Sequence, residues 1–356
     1  MSSVSQAGLL WQTLTEGDID SSPTVSGGHL FVGSDDGFVY SMDASTGQVV
    51  WQTATGGPVD SSPTVDGGLL YIGSGDGTFN ALDAQTGQPV WITNSGGAVV
   101  SSPEVVNNVV YSGSGDGSVY AMNAATGEIL WQTATGGSVD SSPTVVDGIL
   151  YVGSADGSMY ALDANTGQFL WVTFTGGPIF SSPVVYDNTV FFGSSDQSVY
   201  GLSALTGEIF WQTLTTGSVD ASANVNDGLM YIGSDDGNLY ALDTATGAIV
   251  WVTSTGGAIN SSAAFYDGLL YVGSGDGQLY VLDALSGLVQ ETFQTGGAID
   301  SSPTIAGDVV YFGSDDNILY ALSIAPPVDV PEPSGFMLMM LSLAALVLSR
   351  RRRSAR

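Results

Sequence analysis

A chain of 356 residues, 43% of them hydrophobic, can bury a sizeable core, and 49 glycines suit many tight turns. Cysteine is absent, which excludes disulfides and thiolate metal sites. All five basic residues are arginines at the extreme C-terminus (Arg350, Arg351, Arg352, Arg353 and Arg356), and residues 1–325 carry every acid except Asp329 and Glu332. Such a body excludes nucleic acid as a partner, because phosphate neutralisation needs cations. It should attract metal ions or basic partners instead, and the carboxylates also serve plain solubility.

The first predicted element is a strand, Leu9–Leu14. From there the chain falls into rows of forty residues. Trp11, Trp51, Trp91, Trp131, Trp171, Trp211 and Trp251 recur at constant spacing, with Glu291 in the eighth place. Columns of Ser (from Ser22 to Ser302), Gly (from Gly33 to Gly313) and Asp (from Asp36 to Asp316) run unbroken through eight rows. Looking for such a period precedes any local reading. Within residues 140–174, four short runs rich in Val, Ile, Leu, Tyr and Trp are separated by Asp-Gly and Asn-x-Gly signals. These are hairpin connections, since Gly accepts the positive φ such turns need. No segment of the body sustains a helical period.

Four strands per repeat around an axis describe a propeller. A solenoid would need polar terminal caps, and neither end of the repeat region looks like one. The last repeat supplies three strands (299–305, 309–313 and 318–324) and no fourth. One strand at the start and three at the end make one blade. The expectation is an all-β, eight-bladed propeller of four-stranded antiparallel blades, with the N-terminal strand closing the last. Full closure also removes exposed sheet edges between the ends of the chain.

ALDAQTGQPVWITNSGG at 81–97 and ALDANTGQFLWVTFTGG at 161–177 follow an AxDxxTGxxxWxxxTG pattern. It resembles the quinoprotein-type (pyrroloquinoline-quinone-like) propeller repeat, over about residues 8–325. The resemblance implies a structural role for the seven tryptophans, each packed between neighbouring blades near the Thr-Gly turn of an adjacent repeat. Blade seven departs, with Glu291 for Trp and Ser286 for Thr, so its interface is expected to be the weakest. The resemblance also raises a quinone-dependent dehydrogenase, in which basic side chains, Ca²⁺ and in many members a ring of adjacent cysteines hold a carboxylate-rich cofactor. This body has no Lys, Arg or Cys. The reading here is accordingly non-catalytic, with no catalytic or quinone-binding residues assigned.

Beyond 325 the composition changes. Residues 326–335 form a Pro-rich, extended linker containing Pro331-Glu332-Pro333. Residues 336–356 hold an apolar run, 336–348, and then Arg350, Arg351, Arg352 and Arg353. Thirteen residues at ~1.5 Å each reach roughly 20 Å, short of the ~30 Å hydrocarbon core. The basic cluster would stay cytoplasmic and leave the propeller on the opposite face. Together these parts resemble a PEP-CTERM sorting signal, recognised in Gram-negative bacteria that make extracellular polysaccharide by an exosortase-type protease. That implies an exported, cell-envelope or extracellular protein with a transient inner-membrane anchor. MSSVSQAGLLWQTL lacks a basic start and a long apolar core, so the expectation is either a start codon upstream of Met1, the favoured reading, or an unusual export route.

Few residues suggest chemistry. His29 is the only histidine and reads as a surface residue near a turn. The Asp36 column sits in Gly-Ser-x-Asp-Gly turns, where Asp caps a hairpin by bonding local N–H groups. A second column, Asp20, Asp60, Asp140, Asp220 and Asp300, precedes the innermost strands, with Val100, Phe180 and Asn260 in the other blades. Asp35, Asp235 and Asp315 add carboxylates beside three turns. All should open on one face around the channel, making Asp20, Asp60, Asp140, Asp220 and Asp300 candidate Ca²⁺ ligands. No DxDxDG-type loop supports that reading. Val100, Phe180, Gln197, Glu291 and Asn317 are the informative departures from the repeat. The functional expectation is a monomeric, exported scaffold or binding module, with an envelope protein or a polysaccharide as partner.

Overall fold

The computed structural model describes residues 8–324. They form eight antiparallel four-stranded sheets, with no helix among the described residues. Blade 1 comprises Thr24–Ser26, His29–Gly33, Phe38–Asp43 and Val49–Ala54. The same four-strand meander repeats at forty-residue intervals through blade 7, which ends with Val289–Gln294. Blade 8 combines Thr304–Ala306, Val309–Ser314 and Ile318–Ser323 with Leu9–Leu14, in the register Gln12 opposite Tyr320. Ring closure is also made at the hub, where Ser302 N–H donates to Ser22 Oγ at 3.0 Å and Thr304 Oγ1 to the Pro23 carbonyl.

The inner strand differs from expectation. Only Thr304–Ala306 pairs as strand, not 299–305. Pro303 has no N–H to offer a ladder, and the preceding serines bond elsewhere. Ser301 Oγ accepts the Gly313 N–H at 2.7 Å, while Ser302 reaches the next blade. The two serine columns thus stitch strand to strand and blade to blade with side chains where a sheet would use main chain.

Apolar clusters lie between blades, each built from the faces of two adjacent sheets. The tryptophans bridge them. Trp51 Nε1 donates to the Ala84 carbonyl at 3.2 Å, and the other six make the equivalent bond. A Cβ on Gly87, whose φ is +71°, would stand 2.6 Å from the Trp51 ring, so only glycine permits the contact.

Blade 7 shows why its tryptophan is absent. Every Trp docks on a turn glycine 36 residues onward, but in blade 8 the third strand ends at Ser323 and the outer strand enters at Gly8. Ser323 N–H donates to the Gly8 carbonyl at 2.9 Å, as Asp43 N–H does to Gln48 within blade 1. Among the described residues no continuous turn joins these two strands for an indole at 291 to sit on. Phe293 instead packs edge-on against Phe312 and Tyr320. Gln197 and Asn317 stand where other blades carry the turn glycine, with φ of 70° and 65°, in the left-handed region that favours glycine.

Candidate functional site

The two acidic columns have different fates. In the turn between second and third strands, Asp156 Oδ1 accepts the Ser158 N–H at 2.8 Å. Its Oδ2 takes the Tyr160 hydroxyl at 2.6 Å and the Gly136 N–H at 2.7 Å. The Tyr–Asp bond recurs in seven blades; in blade 2 Asn80 replaces the tyrosine and Asp76 bonds Thr78 instead. These bonds hold Asp116, Asp156, Asp236 and Asp276 below the usual carboxylate range despite partial burial, and the partner tyrosines are pushed up first by burial and then by the same bonds. The column is a set of latches between adjacent strands and blades, with one gap in blade 5, where Oδ1 of Asp196 is buried without a partner.

The column before the inner strand is not latched. Three of its members, Asp20, Asp60 and Asp220, meet the residue 25 positions earlier around the ring, on the preceding blade. Ser195 Oγ donates to Asp220 at 2.8 Å; Asp35 shares a hydrogen bond with Asp60, and Asp315 with Asp20 across the ring closure. Asp140 receives its bond from Ser138 within its own blade, at 3.1 Å. One carboxylate oxygen each of Asp20, Asp300 and Asp315 lies within 4.8 Å of the others. Oδ1 of Asp60 and Oδ1 of Asp315 are buried without a hydrogen-bond partner.

Desolvation by the channel wall is the main cause lifting Asp20 to about 7, and Asp315, Asp35, Asp300 and Asp60 add like charge. Asp315 is pushed up to about 6, again chiefly by desolvation, and Asp60, Asp300 and Asp235 move in the same direction. No cation among residues 8–324 offsets them. A divalent ion held by Asp20, Asp300 and Asp315 would relieve this crowding through hard oxygen ligands.

The mouth is therefore two-sided. Asp220, Asp235, Asp300, Asp315, Asp20, Asp35 and Asp60 follow one another from blade 6 through the closure to blade 2, interrupted by Gly275 and by Asn260, which donates to Asp300 at 3.4 Å. Across the ring stand Val100, Asp140 and Phe180, facing Gly75, Gly115 and Ala155. Of the five candidate ligands, Asp20 and Asp300 come together, whereas Asp60, Asp140 and Asp220 each sit with another partner. Asp315 enters the cluster by the 25-residue offset, which a comparison of columns within single repeats does not display. His29 opens the second strand of blade 1, with Nδ1 3.1 Å from Ser41 Oγ. Pro331, Glu332, Pro333 and Arg350, Arg351, Arg352 and Arg353 lie outside the described residues.

Residues 1–225 match the family described as beta-alanine-activating enzyme, beta-propeller. Residues 195–326 match the family described as outer membrane protein assembly factor BamB. Residues 329–353 match the PEP-CTERM protein-sorting motif, a mark of export and C-terminal membrane anchoring in Gram-negative bacteria. No curated protein matches the chain.

Among solved structures, the computationally designed Ika8 protein superimposes with TM-score 0.80 at 21% identity, over 89% of this chain and all of that one. BamB from Moraxella catarrhalis gives 0.78 at 20%, over 89% and 99%. A europium-containing methanol dehydrogenase gives 0.76 at 14%, over 88% and 93%. These likenesses show the fold. The residues at the mouth do not fit a carboxylate-rich quinone. Two unpartnered carboxylate oxygens and several carboxyls pushed above their usual range already report excess negative charge there, and no basic side chain stands among the described residues to receive more.

Proposed function

The chain belongs to the β-propeller family described as that of the beta-alanine-activating enzyme, and on that premise we propose that it is an exported, non-catalytic scaffold or binding module of the cell envelope. Its channel mouth takes cationic ligands: divalent ions such as Ca²⁺ at Asp20, Asp300 and Asp315, or basic segments of an envelope protein along the acidic arc. The observation that carries this reading is the uncompensated arc itself, seven carboxylates from blade 6 to blade 2 with no Lys or Arg among residues 8–324. The match to the BamB family over residues 195–326 supports a role in holding partners. The sorting motif supplies delivery, and an exosortase-type protease is the processing partner it implies.

The test has two arms on the purified full chain. Calorimetry with Ca²⁺ should show saturable binding that Asp315→Asn weakens by about tenfold, a loss of some 1.4 kcal/mol. Dye-linked oxidation of alcohols or sugars, after adding the quinone and Ca²⁺, should stay at background. Turnover would overturn the non-catalytic reading, and Ca²⁺ affinity equal in variant and wild type would overturn the cation site.

A further inference from the structure

Near-identical repeats make each departure an internal comparison, and four departures (His29, Phe31, Ser41 and Asp66) converge on one groove. On the rim, adjacent blades leave recurrent clefts: about 490 Å³ between blades 1 and 2, 450 Å³ between blades 8 and 1, and 280 Å³ between blades 6 and 7. The backbone that builds them is the same, so their differences are chemical. In four such clefts a tyrosine hydroxyl reaches across to a carbonyl of the next blade, as Tyr71 does to Ala124 at 3.2 Å and Tyr311 to Ala44 at 3.0 Å. Between blades 1 and 2 the residue is Phe31, which brings no hydroxyl, lies buried under the cleft and leaves the Ala84 carbonyl to Trp51.

His29 lines this cleft where every other blade has Leu, Val, Ile or Thr. Ser41, its hydrogen-bond partner, stands where the others have Ala, Gly or Val, so the two departures occur as a bonded pair. In the tautomer whose Nδ1–H donates to Ser41 Oγ, which is the one the proposal uses, Nε2 is an acceptor facing the cleft. The His29 ring lies over Phe31, centroids 6.0 Å apart and planes 20° from parallel. From blade 2 comes Asp66, the only carboxylate in its column. Asp83 completes the lining, its Oδ1 fixed by the Thr86 hydroxyl and N–H, both at 2.8 Å.

We propose that this cleft is a binding site for a compact organic cation, an amidinium, guanidinium or alkylammonium group on an apolar body. The apolar part lies against Val65 and the edge of the His29 ring, over the buried Phe31, and its N–H groups donate to Asp66, Asp83 and His29 Nε2. Paired carboxylates beside an imidazole acceptor favour a cation over a neutral molecule of the same shape. The 450 Å³ cleft has Val309 and Tyr311 in place of His29 and Phe31 and lacks both the imidazole and the second carboxylate.

Because His29 is the chain's only histidine, its imidazole resonances report on the cleft without assignment. Untagged full-length protein is titrated with benzamidine, and with benzamide as the neutral isostere. Benzamidine should shift the His29 signals saturably, and benzamide should not. Phe31→Tyr keeps the reporter and restores the residue six other blades tolerate or approximate; it should weaken binding by about tenfold. By calorimetry, the pair His29→Leu and Ser41→Ala should weaken it comparably. These changes install residues found in sister blades, so misfolding does not confuse the result. The proposal fails if benzamidine leaves the His29 signals unmoved, if benzamide binds as well, or if Phe31→Tyr binds undiminished. Asp20→Asn, at the channel mouth, should change nothing in this titration.

Discussion

Two columns of aspartates share this molecule, sixteen residues apart, one filled in all eight repeats and one in five, and members of the two are driven in opposite directions. The Asp36 column meets tyrosine hydroxyls and main-chain N–H groups, and four of its members sit below the usual carboxylate range. In the other, burial first and neighbouring carboxylates second lift Asp20 to about 7. The contrast teaches that a repeated acid is not a repeated function. What surrounds it decides whether it is a strut or an open coordination site.

The largest effect should come from cutting a latch. Asp156→Ala removes three bonds and leaves Tyr160 unpaired, which should cost about 2–3 kcal/mol in urea unfolding. An unchanged midpoint would break the distinction between the columns. The second column should behave the other way. Asp20→Asn should stabilise by about 1 kcal/mol near pH 8, after discounting for solvent screening at an exposed site.

That gain should vanish toward pH 4. A carboxyl raised in the folded state binds its proton more tightly than in the unfolded chain, so stability falls as pH rises from about 4 to about 7 through Asp20. The latch carboxyls, lowered on folding, lose their contribution only below about 4. Thermal unfolding should therefore peak near pH 4, where the two slopes meet. A peak at neutral pH would refute the assignment of the second column. The smallest effect concerns blade 2. Asn80→Tyr, restoring the missing latch to Asp76, should add about 0.5–1 kcal/mol.

Much of this was legible in the sequence. The forty-residue spacing of tryptophans, the Asp-Gly turns and the split of strands between the termini gave the eight blades and their closure. The inner strand was overdrawn because Ser-Ser-Pro looks extended in a sequence, whereas its N–H groups serve neighbouring blades. The hairpin role of the Asp36 column could be read from Asp-Gly, but not the Tyr160 hydroxyl four residues on that completes it. At the channel, a column counts residues within one blade, and the Asp20–Asp315 contact joins two blades whose sequence positions are 295 apart. His29 reads as a turn residue until Ser41, Phe31 and Asp66 are seen around the same cleft.

The clasp of Leu9–Leu14 on Ile318–Ser323 has a temporal side. The first strand to leave a translocation channel is the last to find its partner, because the residues it pairs with follow more than three hundred positions later. Closing so long a loop is entropically slow. Until then Leu9, Leu10 and Leu14 are an unclaimed β-edge. The ring can thus assemble seven blades as it emerges, but it becomes a circle only once the whole body has crossed.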